Sequence, residues 1–237
     1  MTQRTPSYTM RPSEERGYAD HGWLKATHSF SFANYYDPKH MHFRALRVLN
    51  QDKVAPHSGF PTHPHEEMEI VTIVLSGLLE HKDSTGNTGQ LGAADIQVMH
   101  AGTGLTHSEK NPGDEWLHLL QIWLLPHTKG VTPSWEQKKF DMAAPQHDVF
   151  LCSEHAESGS LKIYQDASIR SVGMPENTDW RYPLTPSRHA WLHLVSGQIR
   201  INDTHTLTAG DSIGISHSAE IHIVASETAR FIWFDLA

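Results

Sequence analysis

The sequence predicts an all-β protein built as two antiparallel β-barrels (jelly-roll domains) in tandem. Three observations carry this. Short β-branched and aromatic runs recur between turn residues, and no 3.6-residue periodicity is sustained. A strand–glycine turn–strand unit occurs once in each half. The chain is also longer than a usual single domain, at 237 residues, which divides naturally into 1–130 and 131–237.

In chain order, SFSFANYY (29–36) and FRALRVLN (43–50) read as the first strands. MEIVTIVLSG (68–77) reads as a buried strand ending in a turn at Ser76-Gly77. LLEHKD, the loop STGNTGQ, ADIQVM and the glycine turn AGTG (101–104) follow. Residues 126–147 are rich in Pro, Gly and charge, and read as a linker with a short helix. Strand patterns then resume in DVFLCSE, SLKIYQDASIR, AWLHLVSGQIRIN, SIGIS, EIHIVAS and ARFIWFDLA. The repeat pairs VLSGLLEH (74–81) and Ala93-Ala94-Asp95 with LVSGQIRI (194–201) and Ala209-Gly210-Asp211.

Composition narrows the function. A formal charge of -8 without a dense Lys/Arg cluster argues against direct nucleic-acid binding. No apolar run is long enough for a membrane span, and the N-terminal MTQRTPSYTM lacks the apolar core of a signal peptide. Cys152 is the single cysteine, so no internal disulfide can form. The expected location is the cytoplasm.

Histidine is abundant, with 19 residues, but only spacing gives the count meaning. In His63-Pro64-His65 the two imidazoles lie at i and i+2, so on a strand they project from one face. His107-Ser108-Glu109 repeats that geometry. Two neighbouring strands could therefore bring three nitrogens and a carboxylate to one point. Such a set leaves one or two positions open on a divalent metal, as O2 or substrate chemistry requires. Either pair alone reads more readily as exposed strand residues; together, inside one strand-rich unit, they strengthen the expectation of a metal site well beyond either pair.

The segment THPHEEMEIVTIVLSGLLEHKDSTGNTGQLGAADIQVMHAGTGLTHSE (62–109) resembles the N-terminal signature of the pirin family of cupins. The run HGWLKATHSFSFANYYDP (21–38) is similar to bacterial pirin-like quercetinases. The resemblance implies a bicupin with metal in the first barrel only, held by His63, His65, His107 and Glu109. It implies iron(II) first among divalent ions, with Mn, Co, Ni, Cu or Zn as alternatives. It also implies quercetin 2,3-dioxygenase activity on a flavonol and O2, with loss of CO and Glu109 as base. Glu69, four residues after His65, is the second choice of carboxylate, because ordinary cupins ligate there; otherwise it is a buried acceptor fixing a ligand histidine. Phe32, Phe60 and Met68 are candidates for a flat aromatic pocket, with core packing weighed ahead of that role. His81 and His100 read as loop or supporting residues.

In the second half, counting from Gly197 and Asp211 places Pro183, Thr185, Ile223 and Ala225 in the ligand positions, and none is a usual ligand. His189, His193 and His222 lie near but could not rebuild four. Two other functions compete. Mammalian pirin, which resembles this domain, implies a non-enzymatic, metal-responsive role with a protein partner. Another cupin enzyme, such as a sugar isomerase, is disfavoured by the apolar motif strands.

Overall fold

The computed structural model describes residues 5–237 and is built almost wholly of strands. Each half pairs a seven-stranded sheet with a four-stranded one, and the two sheets face each other as an open jelly roll. Almost all pairing is antiparallel; the short parallel contact of His147–Ser153 with Leu161–Lys162 is the exception. Among the described residues no helix is long and apolar enough to cross a membrane.

The repeat seen in the sequence has a backbone cause. Gly77 and Gly197 have φ of +84° and +81°, a region that favours glycine. A Cβ at Gly77 would lie 2.7 Å from Leu117 Cα, and one at Gly197 would lie 2.4 Å from the Thr228 carbonyl oxygen. Both turns thus need glycine for conformation and for close approach of the chain that starts the next long strand. Asp95 and Asp211 close the second turn alike, accepting from Gly92 N (2.7 Å) and Thr208 N (2.8 Å).

Three local expectations are corrected. Residues 29–36 form no strand; they make a compact loop with one isolated bridge, Phe32 to Tyr35, and Phe30 buried beneath it. Phe30, Phe32 and Tyr35 pack as loop anchors while Tyr36 is exposed, a pattern that alternation alone could not distinguish from a strand. The linker holds no helix: Ser134–Lys139 is a strand paired with Asp95–His100. His81 and His100 lie on strands and are buried, which rules out the loop half of their reading and leaves the supporting one.

Strand pairing also crosses residue 130 in both directions. Ser7–Arg11 joins the second half's large sheet at Ser212–Ser216, while Ser134–Lys139 joins the first half's. One apolar cluster spans both halves, running from Phe30, Leu46 and Ile122 to Trp191, Ile232 and Phe234.

Candidate metal centre

Gly59–His65 is the edge strand of the first half's small sheet, next to Leu105–Lys110. An edge tolerates Pro61 and Pro64, which lack a ladder N–H. Pro64 faces out, and His63 and His65 face in. On Leu105–Lys110 burial alternates strictly, so Leu105, His107 and Glu109 face in. His63 pairs with His107 across the ladder, and a bulge follows between His107 and Glu109. Gly59 makes that approach possible: a Cβ there would lie 2.2 Å from the Glu109 carbonyl oxygen.

The three imidazoles converge. Their ring centroids are 4.5 Å (His63–His107), 4.8 Å (His63–His65) and 5.0 Å (His65–His107) apart. His63 Nδ1–H can donate to the Pro61 carbonyl at 2.8 Å, which leaves its Nε2 lone pair facing inward. That Nε2 lies 3.1 Å from His107 Nε2. Two nitrogens each about 2.1 Å from one ion, at right angles, stand about 3 Å apart. Burial, with His63 nearby, lowers His65 to about 4 and His107 to about 2, so both are neutral at physiological pH, as ligation requires.

Glu109 is buried at the end of this row. Its Oε1 accepts from Gln97 Nε2 (2.6 Å) and Thr72 Oγ1 (3.4 Å), and its Oε2 accepts from Gln121 Nε2 (2.9 Å). Trp135 Nε1 in turn donates to Gln97 Oε1 at 2.8 Å, orienting the amide. Burial raises Glu109 to about 7 against these hydrogen bonds. Among the described residues, donor atoms form two overlapping groups, each within 4.8 Å: His63–His65–His107 and His81–His107–Glu109.

Glu69 lies elsewhere. Ile70 faces the centre and Thr72 reaches Glu109, so Glu69, out of step by one residue, lies on the opposite face of its strand. There it bonds His100 Nδ1 (2.6 Å) and Tyr164 N (2.9 Å) from the second half. It fixes a histidine, but His100 is not one of the converging three.

Phe32 and Phe60 do line the centre, in a cavity of about 70 Å³ shared with Asn50, Asp52, Gln121 and Trp123. Met68 instead packs against Ile70, Met99 and Leu105. A cleft of about 530 Å³ opens beside the cavity, sharing His65 as a wall with Glu66, Ser84 and Thr106. A larger cavity of about 550 Å³, lined by residues such as Val74, Ala94, Phe140 and Met142, contains no histidine. Sequence reading missed Asp52, raised to about 7 by burial and by Glu109. It also missed Gln97, Gln121 and Thr72. Each is an isolated polar residue in an apolar strand, a signal that becomes specific only when strand register brings the four together.

Register corrects the second half. Trp180 pairs with Ile223 as His63 pairs with His107, so Trp180 and Tyr182 stand where His63 and His65 do, three residues before the expected Pro183 and Thr185. The loop entering the next strand is longer, which misled the count. Ile223 and Ala225 fall where expected. Leu192, Ile213 and Trp233 match Thr72, Gln97 and Gln121. The second interior is thus filled by apolar and aromatic packing. His193 bonds Ser212 Oγ, His189 bonds Ser216 Oγ, and His222 faces Asp179 at the surface.

The raised carboxyls have a cost. Below 4.5 Glu109 is protonated in both states; between 4.5 and about 7 only the folded state keeps its proton, so stability falls as pH rises. Metal-stripped protein is expected to lose about 3 kcal/mol through Glu109 over that window. His65 and His107, held low, add stability as pH rises over the same range, so Glu109 is read by difference: the urea-midpoint advantage of wild type over Glu109→Gln should shrink between pH 4.5 and about 7, and a difference that does not change with pH would overturn the raised Glu109 pKa.

Fold and centre together define a bicupin whose first barrel carries a histidine–carboxylate metal-binding cluster. Comparison narrows the class. The Pirin family model matches residues 9–124, and the quercetinase C-terminal cupin domain model matches 150–236. Quercetin 2,3-dioxygenase of Escherichia coli (strain K12) is 43% identical over 228 residues, covering 96% of this chain and 97% of that one. A pirin-like protein of Caulobacter vibrioides is 41% identical, covering 96% and 98%. The crystal structure of bacterial pirin YhhW from Escherichia coli in complex with nickel(II) superimposes with a TM-score of 0.93 at 42% identity, covering 97% and 99%. The chain belongs to the pirin family.

Proposed function

We propose that this protein is a metal-dependent dioxygenase that opens the heterocycle of a flavonol with O2 and releases CO. The observation that carries the proposal is the convergence of three imidazoles beside a buried carboxylate and an open cleft. The relatives named as quercetin 2,3-dioxygenases support the substrate class. His63, His65, His107 and Glu109 would hold one divalent ion, iron(II) first, with Mn, Co, Ni, Cu or Zn as alternatives. The nickel(II) complex of a relative fits a site of this ligand type. When bound, the ion orients a chelating oxygen and stabilises charge on it, and a redox-active ion couples to O2. Residues 1–130, completed by the strand Ser134–Lys139, would form the reacting barrel, and 131–237, completed by Ser7–Arg11, the supporting one, in a cytoplasmic protein.

The chain's own groups divide the work. The inner cavity suits O2 or water, so a flavonol would lie in the outer cleft and reach inward past His65. Glu109, near neutrality in its pKa, would take the proton of the flavonol 3-hydroxyl. Gln97 and Gln121 hold its two oxygens apart and oriented. Phe32, Phe60 and Trp123 keep the inner wall apolar around that transfer.

The test is quercetin-dependent O2 uptake and CO release by metal-stripped protein reloaded with each ion in turn. Turnover is expected with at least one redox-active ion and is expected to be lost in Glu109→Ala. Stoichiometric binding of every ion without turnover would overturn the dioxygenase reading and favour a metal-responsive binding protein.

A further inference from the structure

His81 and Asp83 of the stretch HKDSTGN (81–87) have no part in the chemistry above, yet His81 lies against the centre. Asp83 Oδ1 accepts from Thr85 N (2.9 Å), Thr85 Oγ1 (2.7 Å) and Asn87 N (3.0 Å). Its Oδ2 accepts from Asn87 Nδ2 at 3.0 Å and faces His81 Nε2 at 3.2 Å. A carboxylate only accepts, so His81 carries its proton on Nε2 and a lone pair on Nδ1. The His81 ring is fully buried and stacks on Trp135 at 5.0 Å and 7°, which fixes its plane.

His81 Nδ1 has no hydrogen-bond partner, and neither has His107 Nδ1; both are buried. The two rings are 5.4 Å apart between centroids and tilted by 45°. Histidine ligands commonly donate their second ring N–H to an acceptor that fixes the tautomer. When His107 Nε2 turns its lone pair to an ion, Nδ1 must carry the proton. His81 offers a lone pair on the neighbouring strand.

We propose that Asp83 and His81 form a positioning relay behind the centre, in which His81 Nδ1 accepts the Nδ1 proton of His107 and so holds His107 Nε2 as the ligand atom. The relay rests on the metal-centre reading above. Each link is complementary: Asp83 accepts from His81 Nε2–H, and His81 accepts from His107 Nδ1–H. His81 is a positioning residue. Its Nε2 is engaged by Asp83, and its neighbours hold the ring in place.

The experiment uses the full chain with Zn(II) as probe. Affinity is read by chelator competition, and imidazole tautomers by long-range ¹H–¹⁵N correlation. Wild type is expected to show His107 as the Nδ1–H tautomer and His81 as the Nε2–H tautomer. His81→Leu should weaken Zn(II) binding about 10–100-fold. His81→Asn, whose amide oxygen can stand in for Nδ1 as acceptor, should recover most of that loss. Should His81→Leu fail to fold, the wild-type tautomers and His81→Asn still decide. Zn(II) affinity unchanged in His81→Leu but lost in His63→Ala would overturn the relay alone. Loss in His81→Leu as complete as in His63→Ala, without rescue by Asn, would make His81 a ligand and overturn its positioning role. A wild-type chain that binds no Zn(II) would overturn the metal-centre reading and the relay with it.

Discussion

His63→Ala is expected to lower divalent-metal affinity at least about 100-fold while leaving the fold intact. His63 sits on an edge strand and is only partly buried, so its removal opens no cavity in a packed core. Surface-type substitutions of this kind shift stability by about 0.5 kcal/mol or less. The loss therefore falls on the one nitrogen that lies 3.1 Å from His107 Nε2. Metal analysis and chelator competition on metal-stripped, reloaded protein check it, with a urea melt of the metal-free variant as control. Undiminished binding would remove His63 from the ligand set. It would move the ion to the overlapping group of His81, His107 and Glu109.

Trp191→Ala should cost about 3–5 kcal/mol, the range for deleting a large aromatic from a packed core. Trp191 is fully buried, with Phe30 at 4.9 Å and Phe43 at 5.2 Å between ring centroids. Both partners come from the first half, so the cavity would open where the two halves share their apolar cluster. Urea unfolding followed by fluorescence and circular dichroism should show a lower midpoint. A change under about 1 kcal/mol would mean that the surroundings collapse to refill the space.

The legible parts of this protein were those with local physical causes. The i, i+2 spacing of His63 and His65, and of His107 and Glu109, fixed which face each would share, and all four side chains do face one interior. The two glycine turns announced the repeat because no other residue fits their backbone. What stayed hidden depended on register between distant strands. Thr72, Gln97 and Gln121 look like stray polar residues until pairing places them around Glu109. Glu69 looks like a ligand by its spacing from His65, but a break between two strands resets the alternation and turns it to the other face. The loop at 29–36 misled because aromatic residues anchor loops as well as strands.

The exchange of strands between the halves has a consequence for modularity. A repeated barrel is expected to survive excision, but here neither half owns all of its own edges. Cutting after residue 130 would leave Asp95–His100 without its outer neighbour, Ser134–Lys139, and would expose a row of unpaired amides that invites aggregation. It would also remove Trp135, whose indole orients the Gln97 amide that holds Glu109. The half without the histidine cluster thereby supplies part of the shell around the other's histidine–carboxylate cluster, and the two cannot be parted as independent modules.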